Sequence, residues 1–371
     1  MRIGVPKEIK VHEYRVGLVP AHVRELCARG HEVFVETGAG DGIGAPDAEY
    51  IAAGARIGAD ADSVFTAAQL IVKVKEPQPG ERRRLRPDHL LFTYLHLAPD
   101  AAQARDLLTS GASCIAYETV TSAQGGLPLL APMSEVAGRL AVQAGAHHLE
   151  KPRGGLGVLL GGVPGVAPAR VTILGGGVVG LHAATIALGM GARVTVLDRN
   201  LDVLRRLSCQ FGSAVELVFA NALNIERLCI DADLLIGCVL IPGATAPKLV
   251  THDIVRRMQA GAVIVDVAID QGGCCETSRP TNHDAPTYVV DGVVHYCVAN
   301  MPGAVPRCSA QALNNATLPF VLALAEHGLD ALRADPHLRA GLNVHRGHVT
   351  HPLVAQGLGL PHCEPLLALA G

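Results

Sequence analysis

Short apolar runs rich in Val, Ile and Leu alternate with longer Ala- and Leu-rich segments along most of the chain. The short runs predict β-strands at 1–5, 32–36, 70–75, 90–97, 113–118, 234–239 and 262–269. The longer segments predict helices at 20–29, 133–149, 249–259 and 310–328. Strands that alternate with helices along a whole chain are typical of parallel sheets. We therefore predict an α/β protein with two doubly wound, Rossmann-like domains.

The segment 171–198 carries the clearest local pattern. A β-branched run enters the turn Gly175-x-Gly177-x-x-Gly180 and, after a helix-compatible stretch, a second β-branched run ends in Asp198. A glycine turn between a strand and a helix, with an acidic residue about 20 residues further on, is the full dinucleotide-binding context. Asp198 would accept hydrogen bonds from ribose hydroxyls and repel a 2′-phosphate, which predicts NAD rather than NADP.

The uncharged segment between Arg170 and Arg193 leaves two alternatives open. Its 22 residues are long enough to cross a membrane as a helix. Six glycines and the β-branched start favour a buried strand and helix instead. The other alternative is a βαβ unit that binds no dinucleotide, and the position of Asp198 argues against it.

Composition narrows the class of protein. A chain of 371 residues predicts two domains, and 49% hydrophobic residues are ample for a core. The formal net charge of −3 and the lack of a basic block predict no nucleic-acid partner. Charges near the start disfavour a signal peptide, and ten cysteines without a C-x-x-C pair favour reduced thiols. We therefore expect a cytoplasmic protein that does not act in a membrane.

The order of the predicted elements indicates that one domain is inserted in the other. The dinucleotide pattern is central, and a long helix follows at 310–328. We predict an NAD-binding Rossmann domain at 129–306 and a discontinuous substrate domain at 1–128 and 307–371.

Three ionisable residues, Lys75, His96 and Asp270, end or follow apolar runs, at the edge where open α/β sheets bind ligands. Each has a plain alternative, since a strand-end lysine is usually solvated and a lone histidine is usually structural. A cation, a proton shuttle and a carboxylate together in a dinucleotide-binding chain favour a catalytic site. Asp266, inside its predicted strand, is expected to satisfy neighbouring backbone or a loop.

Seven segments, in order along nearly the whole chain, resemble the NAD-dependent alanine dehydrogenase family, which shares its architecture with transhydrogenase subunits. They are MRIGVPKEIK with Glu13 and Arg15-Val16 after it, KVKEP (73–77), FTYLHLA (92–98), LAPMSEVAGR (130–139), GGGVVG (175–180), DVAIDQGG (266–273) and VANMPGAVP (298–306). The resemblance implies reversible NAD-dependent oxidative deamination of L-alanine to pyruvate and ammonium, with hydride transfer from Cα to the nicotinamide. It also implies a homohexamer.

The resemblance further implies a role for each matching residue. Arg15 would bind the substrate carboxylate, and Lys75 would bind the substrate near its reacting carbon. His96 would transfer protons, and Asp270 would orient the amine or the attacking water. The substrate pocket would also contain Tyr94 and Met133, and the implied cofactor positions are Ser134, Gly175, Gly177, Val178, Val179, Gly180, Asp198, Val239, Leu240, Val267, Ala268, Ile269, Asp270, Arg279, Val298, Ala299, Asn300 and Met301.

Two positions depart from the family pattern. Val203 stands where a basic residue is usual, and Ala220 stands where a serine is usual. Both belong to the adenosine side, so they bear on NAD affinity more than on the chemistry. Two other functions stay open: the NAD-binding subunit of a membrane transhydrogenase, and an NAD-binding protein without activity. A pocket with both Arg15 and His96 argues against the first, and the intact catalytic set argues against the second.

Two groups of residues invite a metal hypothesis. His345, His348 and His351 are spaced by three, but the turn between the first two predicts a surface hairpin, and no cysteine or acid completes a set. The pair Glu326-His327 matches one linked to Mg²⁺ in some family members. Adjacent helical residues point apart, however, and imidazole suits Mg²⁺ poorly. We predict no metal site.

Overall fold

Two mostly parallel β-sheets organise the chain, each within its own unit. The computed structural model describes residues 1–239 and 246–370. The first unit comprises Met1–Met133 and Val305–Gly371, and the second comprises Ser134–Ala304. The second unit is therefore an insertion in the first.

The elements alternate along both units. The first unit begins with β1 (Arg2–Val5), α1 (Pro20–Ala28), β2 (Glu32–Glu36), α2 (Asp47–Ala52), β3 (Arg56–Gly58), α3 (Ala61–Ala67), β4 (Leu70–Val72), α4 (Pro79–Arg82), β5 (Leu90–Thr93), α5 (Ala101–Ser110) and β6 (Ser113–Ala116). Next come α6 (Ala131–His148), β7 (Arg170–Leu174), α7 (Val178–Gly189), β8 (Arg193–Asp198), α8 (Leu201–Phe211), β9 (Glu216–Phe219), α9 (Ala222–Ile230), β10 (Leu234–Gly237), α10 (His252–Arg257), β11 (Val263–Asp266), β12 (Thr287–Val290) and β13 (Val293–Tyr296). The chain then returns to the first unit with α11 (Pro306–His327), α12 (Leu329–Ala334), α13 (Pro336–Arg339), β14 (Leu342–His345), β15 (His348–Val349), α14 (Pro352–Leu358) and α15 (Pro365–Ala370).

The first sheet orders its strands as β15-β14-β6-β5-β4-β1-β2-β3. Strands β1 to β6 pair in parallel, whereas β14 and β15 are antiparallel additions at one edge. The strand order reverses at β1, because β2 and β3 lie on one side of it and β4 lies on the other. The loops after β1 and β4 therefore leave the same carboxyl edge next to each other, where open α/β sheets bind ligands.

The second sheet repeats this arrangement in the order β12-β13-β11-β10-β7-β8-β9. Only the pairing of β12 with β13 is antiparallel among its described strands. Here the order reverses at β7, which lies between β10 and β8, so the glycine turn after β7 stands at the reversal. The predicted α/β fold with two doubly wound sheets is confirmed.

Apolar side chains fill the space between sheet and helices in each unit. Phe65, Ile71 and Leu91 belong to the core of the first unit, and Leu235 and Ile264 belong to that of the second. The uncharged segment that raised the membrane alternative forms β7 and α7 instead. Over the described ranges, no helix is both long enough and apolar enough to span a membrane.

Several elements differ in length from the sequence prediction. Strands β4, β5, β6 and β11 are shorter than their apolar runs and end at Val72, Thr93, Ala116 and Asp266. After β11 the chain enters a 3₁₀ turn, Val267–Gln271, so Asp270 lies in a turn and not at a strand end. Helix α10 is also shorter than predicted, because Thr251 caps its start by accepting a hydrogen bond from the Ile254 N–H. Helix α11 is longer, since Pro306 is accommodated in its first turn.

Asp266 anchors the segment that follows β11. Its side chain is fully buried, and Oδ2 accepts hydrogen bonds from the N–H groups of Cys274 (2.8 Å) and Cys275 (3.2 Å). The same oxygen accepts a third hydrogen bond from the Ser278 hydroxyl at 2.6 Å. The prediction that this carboxylate satisfies a neighbouring loop is confirmed.

Candidate active site

Arg15 lies in the loop between β1 and α1 and is only 2% exposed. Glu13 holds its guanidinium with two hydrogen bonds, from Nε to Oε1 at 2.7 Å and from Nη2 to Oε2 at 2.6 Å. Nη1 donates to Sδ of Met133 at 2.9 Å. Although burial disfavours both charges, the hydrogen bonds and opposite charges of the pair lower the pKa of Glu13 and raise that of Arg15. The result is a buried, oriented cation whose Nη1 end faces Met133.

Two contacts hold the loop that carries this arginine. Asn314 of α11 is fully buried, and its Oδ1 accepts a hydrogen bond from the Val19 N–H at 2.7 Å. Its Nδ2 donates to the Val16 carbonyl at 3.2 Å. Gly17 packs on the end of β4, where a Cβ would lie 2.3 Å from the carbonyl oxygen of Val72. A side chain at position 17 would therefore push the loop off the sheet.

Lys75 lies just beyond β4, and both of its main-chain groups are held. Its N–H donates to Oε1 of Glu8 at 3.4 Å, and its carbonyl accepts a hydrogen bond from the Thr93 hydroxyl at 2.9 Å. The half-buried side chain interacts electrostatically with Glu13. Lys75 therefore belongs to the same charged group as the Glu13–Arg15 pair.

His96 follows β5 with a φ of 47°, in the left-handed region that few non-glycine residues adopt. Glu118 holds this conformation, because its Oε1 accepts hydrogen bonds from the N–H groups of Leu95 (3.2 Å) and His96 (2.6 Å). The exposed imidazole stacks on the ring of Tyr94, with centroids 5.7 Å apart and an interplanar angle of 5°. The Tyr94 hydroxyl in turn donates to the Leu129 carbonyl at 2.5 Å. Strained residues held in this way cluster at functional sites.

The carboxyl edge of the first sheet thus carries Arg15, Lys75, Tyr94 and His96, and Met133 contacts the first of them. A cavity of about 390 Å³ opens beside Arg15 and is also lined by Glu8, Glu13 and the loop after β2, but not by Lys75, Tyr94 or His96. A guanidinium, an ammonium and an imidazole at one edge can bind a carboxylate and move protons. Sequence analysis missed Glu118 and Asn314, since nothing local to either residue shows its partners.

The glycine turn after β7 uses each glycine for a different reason. Gly175 has a φ of 98°, and a Cβ on it would lie 3.0 Å from the Cys238 carbonyl oxygen. Gly180 packs α7 on β7, because a Cβ there would lie 1.9 Å from the carbonyl oxygen of Gly175. Gly177 is the N-cap of α7, and no atom of the described residues beyond its own chain neighbours comes within 4 Å of its Cβ position. The turn therefore leaves room beside the start of a 12-residue helix, whose N–H groups attract phosphate.

Asp198 is the last residue of β8, and its side chain accepts hydrogen bonds from the glycine turn after β7 and from the loop after β8. Oδ2 accepts a hydrogen bond from the Gly176 N–H at 2.7 Å, and Oδ1 accepts one from the Asn200 N–H at 2.8 Å. Val203 packs on the glycine turn, 2.7 Å from the Cβ position of Gly176. One helical turn further, Arg206 donates from Nη2 to the Gly176 carbonyl at 3.4 Å. A cation therefore reaches this turn from α8 although position 203 is apolar, a feature that sequence analysis missed.

The other predicted cofactor positions are distributed over the second unit. Asp270 is exposed, and the Arg279 guanidinium lies over the ring of Tyr288, 4.1 Å from its centroid. The Ala220 N–H donates to the carbonyl of Asp198 at 3.0 Å. Leu240 lies outside the described residues. The remaining positions lie in α6 (Ser134), at the start of α7 (Val178 and Val179), after β10 (Val239), in the 3₁₀ turn (Val267, Ala268 and Ile269) and after β13 (Val298, Ala299, Asn300 and Met301).

The histidines of the metal hypothesis do not converge on one point. His345 and His348 face each other across the predicted hairpin, β14 with β15. The expectation that this hairpin lies at the surface is wrong for His345, which is 1% exposed and hydrogen-bonded through Nδ1 to the Ser113 hydroxyl at 2.8 Å. Glu326 pairs with Arg29 at 3.0 Å.

Among the residues that the structure describes, one group places three metal-ligand atoms within 4.8 Å of one another: Asp266, Cys274 and Cys275. Its hydrogen bonds identify it as the anchor of the segment after β11. A hydrogen bond with Cys275 and burial raise the pKa of the Cys274 thiol well above its usual value, so this thiol stays protonated.

Family models, a sequence relative and a solved structure all relate this chain to the alanine dehydrogenases. Family models described as alanine dehydrogenase/PNT, N-terminal domain and C-terminal domain, match residues 4–137 and 141–352. An alanine dehydrogenase of Halomonas elongata is 60% identical, and the match covers 98% of each chain. A solved L-alanine dehydrogenase is 54% identical over 97% of this chain and 99% of its own, with a TM-score of 0.94. A transhydrogenase from Sinorhizobium meliloti is 26% identical over 95% of this chain and 99% of its own, with a TM-score of 0.82.

The chain belongs to the alanine dehydrogenase/PNT family. Within it, the chain is similar to the alanine dehydrogenases and only distantly similar to the transhydrogenase. The predicted family and the predicted oxidoreductase class are confirmed.

The buried Glu13–Arg15 pair makes stability depend on pH. Glu13→Gln leaves a buried guanidinium without its counter-ion, which should cost about 3–5 kcal/mol at neutral pH. Because Arg15 lowers the pKa of Glu13 below its ordinary 4.5, the pair stabilises the fold above that pH. The stabilisation is lost as the pH falls through the lowered value. Thermal unfolding of both proteins, from neutral to acidic pH, should show their difference shrink.

Glu25→Gln is the control, because it removes a carboxylate of the same type from an exposed position in the same unit. It should change stability little at any pH. A difference between wild type and Glu13→Gln that stays constant from neutral to acidic pH would contradict the pairing.

Proposed function

We propose that the chain catalyses the reversible NAD-dependent oxidative deamination of L-alanine to pyruvate and ammonium. The observation that carries the proposal is the buried Arg15, oriented by Glu13 at the sheet edge that also presents His96. A fixed guanidinium recognises a small carboxylate, and an imidazole exchanges protons near neutral pH. The high identity to alanine dehydrogenases supports alanine as the substrate.

We infer that the second unit binds NAD. The room at Gly177, the left-handed Gly175 and the start of α7 suit a pyrophosphate, and Asp198 suits the ribose hydroxyls. When bound, NAD supplies the acceptor for the hydride that leaves Cα of alanine. Asp198 stays oriented without ligand, because both carboxylate oxygens already accept main-chain hydrogen bonds.

In the proposed mechanism the first unit binds the substrate and handles its protons. Arg15 holds the substrate carboxylate from its Nη1 end, so that Cα has one orientation. Lys75 donates a hydrogen bond to the oxygen on the reacting carbon and polarises the carbonyl of pyruvate. Loss of the hydride from Cα leaves an imine, to which water adds. His96 takes a proton from this water and returns it to the amine, which leaves as ammonium while the carbonyl of pyruvate forms. For Asp270, which is exposed in the second unit, the family resemblance implies a role in orienting the amine or the water.

Family resemblance and cysteine chemistry bear on the assembly and the location of the protein. The homohexamer follows from family resemblance alone and stays a prediction. All ten cysteines are free thiols, which supports the expectation of a reducing, cytoplasmic compartment. The transhydrogenase alternative has weaker support, since the identity to the Sinorhizobium meliloti protein is 26%.

Absorbance of NADH tests the proposed function directly. With NAD and a panel of small amino acids, L-alanine should give the fastest rate, and pyruvate with ammonium should oxidise NADH. Lactate has the carboxylate of alanine but a hydroxyl in place of the amine, so it should be a poor substrate and a weak competitor. Oxidation of lactate as fast as alanine would replace the proposal with a hydroxy-acid dehydrogenase.

The proton-transfer role of His96 needs a variant that keeps its backbone conformation. His96→Asn tolerates the left-handed φ of this position but cannot exchange a proton near neutral pH. We expect turnover to fall by about 10²-fold or more while NAD binding and thermal stability are kept. His348→Asn changes an exposed histidine of the same unit and should have no effect. If the variant loses stability but keeps its turnover, His96 is a structural residue.

The cofactor preference depends on the charge of Asp198. Asp198→Asn removes the charge, while its amide oxygen can still accept the Gly176 hydrogen bond. The preference for NAD over NADP should then narrow by about tenfold or more, because repulsion of a 2′-phosphate is relieved. Steady-state kinetics with both cofactors measures this, with the exposed Asp202→Asn as control. Equal use of both cofactors by the wild-type protein would refute the assignment.

A further inference from the structure

A buried group of three charges lies beside the proposed substrate site, since Glu8 lines the same cavity as Arg15, and the mechanism above gives this group no role. The Lys73 ammonium is 2.7 Å from Oε1 of Glu81 and 3.1 Å from Oε2 of Glu8. Lys73 is 0% exposed, Glu81 is 1% exposed and Glu8 is 8% exposed. Burying charges is costly, so a group of this kind needs a reason beyond stability.

The second oxygen of Glu8 points to that reason. Oε1 accepts hydrogen bonds from the Val74 N–H at 2.6 Å and from the Lys75 N–H at 3.4 Å. Strand β1 ends before Pro6 and pairs with β4 only through Ile3 and Gly4. Residues 73–75 extend β4 beyond its last strand residue. Beyond these two pairs, β1 offers no main-chain acceptor to this extension. The Glu8 carboxylate accepts the hydrogen bonds that a neighbouring strand would otherwise accept from Val74 and Lys75.

The other side of this extension is bound to β5 and the segment after it. The Lys73 N–H donates to the Phe92 carbonyl at 3.1 Å, and the Tyr94 N–H donates to the Val74 carbonyl at 3.2 Å. The extension is therefore hydrogen-bonded to Phe92 and Tyr94 on one side and to Glu8 on the other. The Glu8 carboxylate adds two hydrogen bonds to a backbone that β5 and Tyr94 already bind at Lys73 and Val74.

We propose that Glu8 is a positioning residue that holds the backbone of Lys75, and that Lys73 is the counter-ion that keeps Glu8 in place. The proposal rests on the proposed function in one respect, since it takes Lys75 to bind the substrate. Burial raises the pKa of Glu8, and the Lys73 ammonium opposes that rise. An ionised carboxylate makes the stronger hydrogen bonds to the two N–H groups.

Glu81 provides a matched control. It binds the same ammonium as Glu8, but its other oxygen accepts a hydrogen bond from the Gln78 N–H. Glu8→Met and Glu81→Met therefore each remove one carboxylate from Lys73, and only the first removes the acceptor for the Lys75 N–H. Glu8→Gln is the rescue variant, because its amide oxygen can still accept both hydrogen bonds.

We expect kcat/KM for alanine to differ between the Glu8 and Glu81 variants. Glu8→Met should lower kcat/KM for alanine by about 10²-fold, since small misplacements of a binding group have effects of this size. Glu8→Gln should recover part of the loss, because it keeps an oxygen for the two N–H groups but loses the ion pair with Lys73. Glu81→Met should lower the melting temperature but leave kcat/KM close to wild type. Equal losses in Glu8→Met and Glu81→Met would overturn the proposal.

Hydrogen exchange measures the positioning without any assay of activity. Mass spectrometry of a peptide that covers residues 73–77 should show faster amide exchange in Glu8→Met than in wild type or Glu81→Met. Unchanged exchange in Glu8→Met would overturn the proposal even if activity fell. If the wild-type protein does not oxidise alanine but the exchange result holds, the proposed function fails and the positioning stands.

Discussion

The rest of this structure depends on one kind of interaction, the hydrogen bond from a main-chain N–H group at the end of a strand to a side-chain carboxylate. A strand that leaves its sheet exposes main-chain N–H groups, and these must find acceptors if they are buried. Glu8, Glu118 and Asp198 each accept such hydrogen bonds just after the end of a strand, and Asp266, the last residue of β11, accepts them from the segment that follows. The carboxyl edge of an open α/β sheet is also its ligand-binding edge. The same four side chains therefore shape the loops from which both candidate sites are built.

Two buried cations of the first unit are paired with carboxylates. The ammonium of Lys73 lies between two glutamates, and the guanidinium of Arg15 is bound at one edge by Glu13. Such groups add little net stability, because removing ions from water offsets much of their attraction. What they provide is one defined geometry, which a site that binds and orients a small polar substrate needs.

The two units solve the same problem with different residues. In each sheet the strand order reverses at one strand, β1 in the first and β7 in the second, and the loop after that strand carries the candidate site. In the first unit a buried side chain, Asn314, holds this loop, and in the second the glycines of the turn allow close backbone packing. The first arrangement fixes a buried cation at the sheet edge, and the second leaves room beside the start of α7. The difference in chemistry follows from the loops and not from the fold.

The sequence by itself determined the α/β class, the glycine turn with Asp198, and the family, because these depend on periodicity and on motifs within a short stretch of chain. Tertiary structure alone decided where strands end and which groups hold the site. The N–H of His96 bonds to a carboxylate 22 residues away, and Asn314 bonds to a loop 298 residues away. Apolar runs continue past the ends of their strands, because side chains stay buried beyond the point where the hydrogen bonds between strands end. Hydrogen bonds between distant segments have no local pattern, so only the folded chain shows them.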